Sequence, residues 1–286
     1  MRIKKITLDE FYKRVLSGEK DFCGIDLSDC DISGHKDFDM LNAYLRTISS
    51  VEAGINIEGS VLKGVKASNI QLPFLKASES FLGEADFSGA NLAKARFAGS
   101  RLMEAKLSKA YLYRANLMEA NLWEADLSEA DLNEADLNKA DLTRANLMKA
   151  NLMEANLWRA NLWEANLTKA YLSGANLWRA NLTRANLSES NLWKANLAGS
   201  ILSEADLSNV FLREANLMES DLSNANLRKV NLMGANLMKA NLVGAKNLKD
   251  ALNLGYALYG NTKVTADQKE IIEKYLGEKK LFNVVD

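Results

Sequence analysis

Between Ala115 and Leu182 apolar residues recur at alternating intervals of two and three, Ala then Leu then Ala again, without a fault. The Leu positions, here called centres, fall every fifth residue at 117, 122, 127 and onward, each with Ala two places before it. On an α-helix at about 100° per residue, five residues advance about 500°, so successive centres lie about 140° apart and form no stripe. A straight strand fails as well, because an odd period sends successive centres to opposite faces. Both objections vanish if the chain turns a corner once per repeat. Ala and Leu, two apart on a short extended segment, then both point inward, and the other three residues face water. The chain must coil about its own Leu-filled axis, each turn lying on the previous one at roughly 4.8 Å.

The repeated phrase, Ala, then Asn or Asp, then Leu and two variable residues, resembles the motif of the pentapeptide-repeat family. That resemblance implies an all-β solenoid, a right-handed quadrilateral β-helix with four repeats to each coil. Centres keep unbroken register from Ile57 to Leu242, which makes (242 − 57)/5 + 1 = 38 repeats. Ser60, Ser80 and Ser100 take the inward Ala position at 20-residue intervals, as a column on one face of such a coil does. A lone repeat cannot hold this shape. Burying one Leu contributes ~1.5–3 kcal/mol, whereas ordering five residues costs ~5–10 kcal/mol of backbone entropy. Stacked coils are required, and the two end coils need covers, or their open edges would recruit other chains.

The flanks supply such covers as short α-helical caps at both ends. In residues 1–20, Thr7 and Glu10 fit a capping box, and Leu8, Phe11, Tyr12, Val15 and Leu16 make one apolar helix face. Residues 21–34 hold the first repeats, with Phe22, Leu27 and Ile32 as centres and Cys30 at an inward position. Residues 35–54 break the pattern, because the would-be centres Asp37, Asn42, Thr47 and Glu52 are polar. Phe38, Leu41, Leu45 and Ile48 are spaced there for a helix face, so a helical insertion is expected. Its length matches one coil, and it could equally loop out and resume on the next face. The coil proper spans 55–245, and Pro73 sits at a corner position, where its missing N–H is tolerated. In 246–286 Leu248 falls one residue late, which ends the register, and Thr265 with Gln268 opens a helix over 265–276. This last segment reads as a cap, with a dimer contact as the second reading. The whole chain reads as one elongated domain.

Composition narrows the chemistry. The charges, 36 basic against 37 acidic, imply no strong field toward nucleic acid or an anionic membrane. No 18-residue apolar stretch and no signal-like leader is present, so a cytoplasmic protein is expected. The one histidine, His35, leaves no basis for a multi-His metal site or His-dependent catalysis, and a surface or loop position is expected for it. Cys23 and Cys30 form no metal or redox motif. No catalytic residue, cofactor or metal ligand is expected. The Asn or Asp before each centre reads as a side-chain ladder along the wall rather than as paired catalytic carboxylates.

The informative positions are the outward ones just after each centre, sorted by face with the four-repeat coil. One face is nearly all hydroxylic, from Ser68, Ser88 and Ser108 to Thr168, Ser188 and Ser208. The opposite face carries Met118, Trp158, Trp178, Met218 and Met238. A neighbouring face adds Tyr113, Met153, Trp193 and Met233. Trp and Met on one side suggest an interaction surface, although stacking on the equivalent residues of the next coil would explain them too. The expected function is a non-enzymatic scaffold, a rigid rod binding a protein partner or a second copy of itself. The family resemblance implies an alternative, since some members mimic duplex DNA, bind type II topoisomerases and protect against quinolones. Residues 55–245 carry 21 basic and 21 acidic side chains, which disfavours such a mimic. The Trp158-Arg159 and Trp178-Arg179 pairs also suggest a stacking platform for single-stranded nucleic acid, which the neutral charge opposes.

Overall fold

The structure, a computed structural model, describes residues 3–276 and 282–284. Contacts group the chain into two compact units, Met1–Asn146 and Leu147–Asp286. Sequence periodicity suggests one elongated domain, but a coil in a repeat architecture touches only its neighbours. Residues many coils apart therefore share no contact, and each unit is described by itself.

One repeat shows why the coil forms. In Ala175–Arg179 every backbone N–H is used. Ala175 N donates to Leu172 O at 3.0 Å and closes the preceding corner, and Asn176 N donates to Ala155 O of the previous coil at 2.9 Å. Leu177 N and Arg179 N donate to Asn196 O and Ala198 O of the next coil, at 2.7 and 3.0 Å. The remaining donor, Trp178 N, reaches no backbone acceptor and goes to the side-chain oxygen of Asn176 at 3.3 Å. Complete pairing of backbone donors is what a buried wall demands. It also explains the Asn or Asp before each centre, whose Oδ1 takes the one donor the backbone leaves over. The same amides form the expected ladder: Asn176 Nδ2 donates to Asn156 Oδ1, and Asn196, Asn216 and Asn236 continue it coil by coil.

Each corner is a β-turn whose third residue takes positive φ, as at Glu119 (56°), Arg179 (56°) and Glu219 (59°). That value marks a type II geometry, which is strained for a side chain. Eight of the nine glycines between 55 and 245, among them Gly174 and Gly199, sit at this position. Inward, the centres and the Ala residues are sealed from water. Ser100, Ser200 and Ser220 replace Ala inside, and each hydroxyl donates to the carbonyl three residues back at 2.7 Å. Ser190 is equally buried, yet its hydroxyl has no hydrogen-bond partner. An unmet buried hydroxyl costs about 1–3 kcal/mol. Ser190→Ala is therefore expected to raise the melting temperature by roughly 2–6 °C, whereas Ser200→Ala leaves it level or lowers it.

In the first unit each parallel pairing joins a residue to its equivalent one coil later, from Asn56↔Lys76 to Asp126↔Asn146. Before them, Asp21↔Asn56, Asp26↔Val61 and Asp31↔Lys66 reach further along the chain than a single coil. The segment 35–54 thus neither forms a coil of its own nor leaves the stack; it stands in for one five-residue side. Its helix, here α2 (Phe38–Leu45), turns Leu41 and Leu45 inward. Asn42, a polar would-be centre, is buried too, accepting from Gln71 N at 2.9 Å and donating to Asn69 O at 3.3 Å. Its amide serves the open edge as a strand would. The outer end is covered by β1 (Lys4–Lys5), parallel to β2 (Ile25–Asp26), and by α1 (Leu8–Leu16), which buries Phe11, Tyr12 and Val15. Thr7 caps α1, accepting from Glu10 N at 3.1 Å, while the Glu10 carboxylate turns to Arg14.

In the second unit the coil continues beyond 245. Lys246, Leu252, Leu258 and Lys263 still pair with Asn226, Asn231, Asn236 and Asn241, and the interval lengthens along the series. The late Leu248 marks an enlarged corner rather than an end. Short 3₁₀ turns at Leu248–Asp250 and Leu254–Tyr256 absorb the extra residues and still point Leu248 and Leu254 inward. Then β3 (Thr262–Val264) leads into α3 (Ala266–Leu276), and β4 (Phe282–Val284) pairs parallel with β3. The capping box is reciprocal: Gln268 N donates to Thr265 Oγ1 at 3.3 Å and Thr265 N to Gln268 Oε1 at 3.0 Å. Gln268 Nε2 reaches the last-coil carbonyls of Leu242 and Ala245 at 2.8 and 3.3 Å. Along α3 Ile272 is buried while Tyr275 is exposed.

Candidate functional site

The titratable groups that carry most enzyme chemistry have structural duties here. His35 lies in the loop before α2, one of the two positions expected for it, but it is largely covered: its ring stacks on Tyr12 at 3.8 Å and only 11% of its side chain is exposed. Its Nδ1 accepts from Asp37 N at 3.2 Å, so Nε2 holds the proton and faces Asp9 Oδ1 at 3.1 Å, tying α1 to the insertion. Tyr12 donates to Ile32 O at 2.6 Å, and burial pushes its phenol upward. Burial, with Asp21 adding, pushes the Cys23 thiol up to about 11, and burial raises Cys30 as well. A thiol so shifted supplies little thiolate at neutral pH. Cys30 is half-buried rather than sealed, because it belongs to the outermost coil. Among the described residues no group of His, Cys, Asp and Glu is placed to hold a metal ion.

The outer wall is where the side chains vary. In the first unit Tyr113 and Met118 are half-buried. Tyr113 stacks on Tyr111 with centroids 6.1 Å apart, lies under Arg114, and donates to Glu134 at 3.2 Å. In the second unit Trp158 and Trp178 stack nearly parallel, 5.9 Å apart at 13°, each half-buried beneath the guanidinium of the next residue. Arg159 and Arg179 thus cover the indoles, and the rings serve one another. Further along this column Met218 is half-buried and Met238 exposed.

The neighbouring column differs. Met153, Trp193 and Met233 are exposed, and so are three aromatic residues outside the position just after a centre. Tyr171 (52% exposed), Phe211 (54%) and Tyr256 extend the strip. Tyr171 and Phe211 occupy the position before the centre, where Asn or Asp is the rule. The departure from that rule is the sequence signal for them. Tyr171, Asn191, Trp193, Phe211, Asn231, Glu189 and Arg213 line an open concavity of about 540 Å³. Its rim charges are matched within the chain: Lys194 with Glu214 at 3.7 Å, Arg213 with Glu214 at 3.0 Å, and Lys169 with Glu189 at 3.4 Å. Nothing here resembles the acidic surface a DNA mimic requires.

Comparison with known proteins agrees with the architecture. The family model for pentapeptide repeats matches in eight copies, over 80–117, 115–152, 150–188, 180–217 and 215–246. No curated protein matches the sequence. Among solved structures, the chain is similar to HetL, a pentapeptide repeat protein involved in heterocyst differentiation regulation from the cyanobacterium Nostoc sp. strain PCC 7120. The two are 31% identical over 89% of this chain and 97% of HetL, with a TM-score of 0.55. Rfr23 from the cyanobacterium Cyanothece 51142 is 35% identical over 39% of this chain and 63% of its own, with a TM-score of 0.23. QnrB1, a plasmid-mediated fluoroquinolone resistance protein, is 16% identical over 79% of this chain and 100% of its own, with a TM-score of 0.43. The five-residue register, the coil-by-coil pairing, the family match and the full-length likeness to HetL together make this chain a member of the pentapeptide-repeat family, built as a right-handed quadrilateral β-helix.

Proposed function

We propose that this chain is a non-enzymatic interaction scaffold, whose outer wall in the second unit holds a protein against the strip of Met153, Trp193 and Met233. The observation that carries this reading is the exposure of that strip, joined by Tyr171 and Phe211. Large apolar side chains gain nothing for folding while they face water, and contiguous apolar patches mark interaction surfaces. The Trp158, Trp178 and Met218 column is a weaker part of the surface, since its rings are occupied with one another and with Arg159 and Arg179. Met238 lies exposed at its end. The likeness to HetL, a protein of regulation, also favours a binding role. A test uses the immobilised chain, offered a lysate together with untagged copies of itself. Wild type is expected to retain at least one protein that Trp193→Ser with Met233→Ser loses at unchanged melting temperature. Equal retention by both would remove the strip from the function.

A further inference from the structure

Resting on that reading, the strip also indicates what it binds. Along its length the position before the centre alternates: Tyr171, Asn191, Phe211, Asn231 and Leu252 stand on successive coils. Bulky residues thus project on every second coil, with an asparagine as the floor between them. At roughly 4.8 Å per coil, neighbouring projections are about 9.6 Å apart. A ring entering the gap lies about 4.8 Å from each, within the ~4.5–7 Å range of favourable aromatic pairs. The 540 Å³ concavity between Tyr171 and Phe211 is that gap, floored by Asn191 and walled by Trp193.

These rings are placed against the interest of the fold. Where Asn or Asp stands before the centre it accepts the N–H two residues on, as Asn191 does from Trp193 N at 3.1 Å and Asn231 from Met233 N at 3.1 Å. Tyr171 and Phe211 carry no such acceptor for Ser173 and Arg213. They also interrupt the asparagine ladder, and the rings they bring are half in water.

We infer that this face binds a second copy of the chain, in an antiparallel two-fold contact where Phe211 of each copy enters the gap over Asn191 of the other. The axis passes between the coils of Asn191 and Phe211, which sets Tyr171 of each copy over Asn231 of the other. A comb with a two-coil period is its own complement when reversed and shifted by one coil. Charge permits this pairing: a two-fold contact joins two copies of one face, so any net charge on it would meet the same net charge, and the rim charges here are already neutralised by Lys194–Glu214, Arg213–Glu214 and Lys169–Glu189. Area agrees as well. At ~150–250 Å² for a full aromatic side chain, the half-exposed residues from Tyr171 to Tyr256 offer on the order of 600 Å². A polar rim brings this near the ~800 Å² per partner of a standard interface.

The experiment is light scattering on the purified full chain across a concentration series, for wild type, Phe211→Asn with Tyr171→Asn, and Asn191→Phe. Wild type is expected to have twice the monomer mass. The double Asn variant extends the ladder, so it should keep or raise its melting temperature and yet be a monomer. Asn191→Phe makes the face more apolar but fills the gap, and should also be a monomer. A wild-type monomer at every concentration overturns the inference and leaves the scaffold reading to the retention test, where a foreign protein could still bind. A dimer that survives Asn191→Phe, or the double Asn change, overturns it too.

Discussion

Leu182→Ala should destabilise the chain by about 2–5 kcal/mol in equilibrium denaturation, with a lower midpoint and an unchanged slope. Leu182 is a fully buried centre in the second unit, and its N–H donates to Ile201 O at 2.6 Å. The side chain lies between the equivalent leucines of the coils on either side, Leu162 and Leu202. Backbone pairing holds those coils at fixed spacing, so the wall cannot close over the missing atoms, and a cavity remains. Leu182→Asn should cost more, since the surrounding backbone groups already have partners and the buried amide finds none. Coil geometry also predicts where effects add. Leu162→Ala and Leu222→Ala lie three coils, about 14 Å, apart and should be additive within ~0.5 kcal/mol. Leu182→Ala and Leu202→Ala adjoin in one column, so their cavities merge and the sum should fail. Additive behaviour of the adjacent pair would mean that the coils relax independently, contrary to a continuous core.

The legibility of this chain follows from what a five-residue period can and cannot encode. The inward positions are forced by volume, so Leu182 and Ala180 can be assigned from spacing alone, and the side-chain ladder from the Asn and Asp before each centre. The positive φ at each corner is written in the glycines, which cluster at the position of Gly174 and Gly199, but Arg179 and Glu219 hide it because they adopt the same φ. At the coil's borders the period misleads. Asn42 looks like a break in the pattern because it is polar at a centre, yet that polarity lets it complete an edge. Leu248 looks like the end of the register, because an enlarged corner shifts phase without ending the pairing. On the outer wall, position alone does not separate Trp158, folded against Trp178 and Arg159, from Trp193, which stands exposed. Lys194 lies over the Trp193 ring at 4.5 Å and still leaves 42% of the residue open. That difference depends on the neighbouring coils: Trp158 and Trp178 stand one coil apart and stack, whereas Ser173 and Arg213 are the residues one coil from Trp193 in its column.

Gln268→Leu, which keeps the side-chain volume, should lower stability by about 2–4 kcal/mol and make the chain prone to end-on association. Gln268 is buried and performs two tasks at once, capping α3 through Thr265 and meeting the carbonyls of Leu242 and Ala245. The cap bond from residue 268 N to Thr265 Oγ1 survives the change, but Thr265 N loses its acceptor and the carbonyls of Leu242 and Ala245 lose a donor, and a buried polar group left unmet costs about 1–3 kcal/mol. Of the two carbonyls, Leu242 O also takes the N–H of Ala245 at 2.9 Å, so Ala245 O is the group most harmed. Asn42→Leu makes the same test in the first unit, where Gln71 N loses its acceptor. The two changes should act locally. Hydrogen exchange should accelerate at Ala245 and α3 for the first and at Gln71 for the second, leaving amides such as Leu182 protected. A coil edge stripped of its side-chain cover presents unpaired groups to any strand, so both variants should show mass growing with concentration. Gln268→Leu with unchanged stability and mass would mean that the helix, by burying Ile272, closes the coil without the amide. Covering the end would then be a matter of apolar contact alone, and the polar residues at both ends would need another explanation.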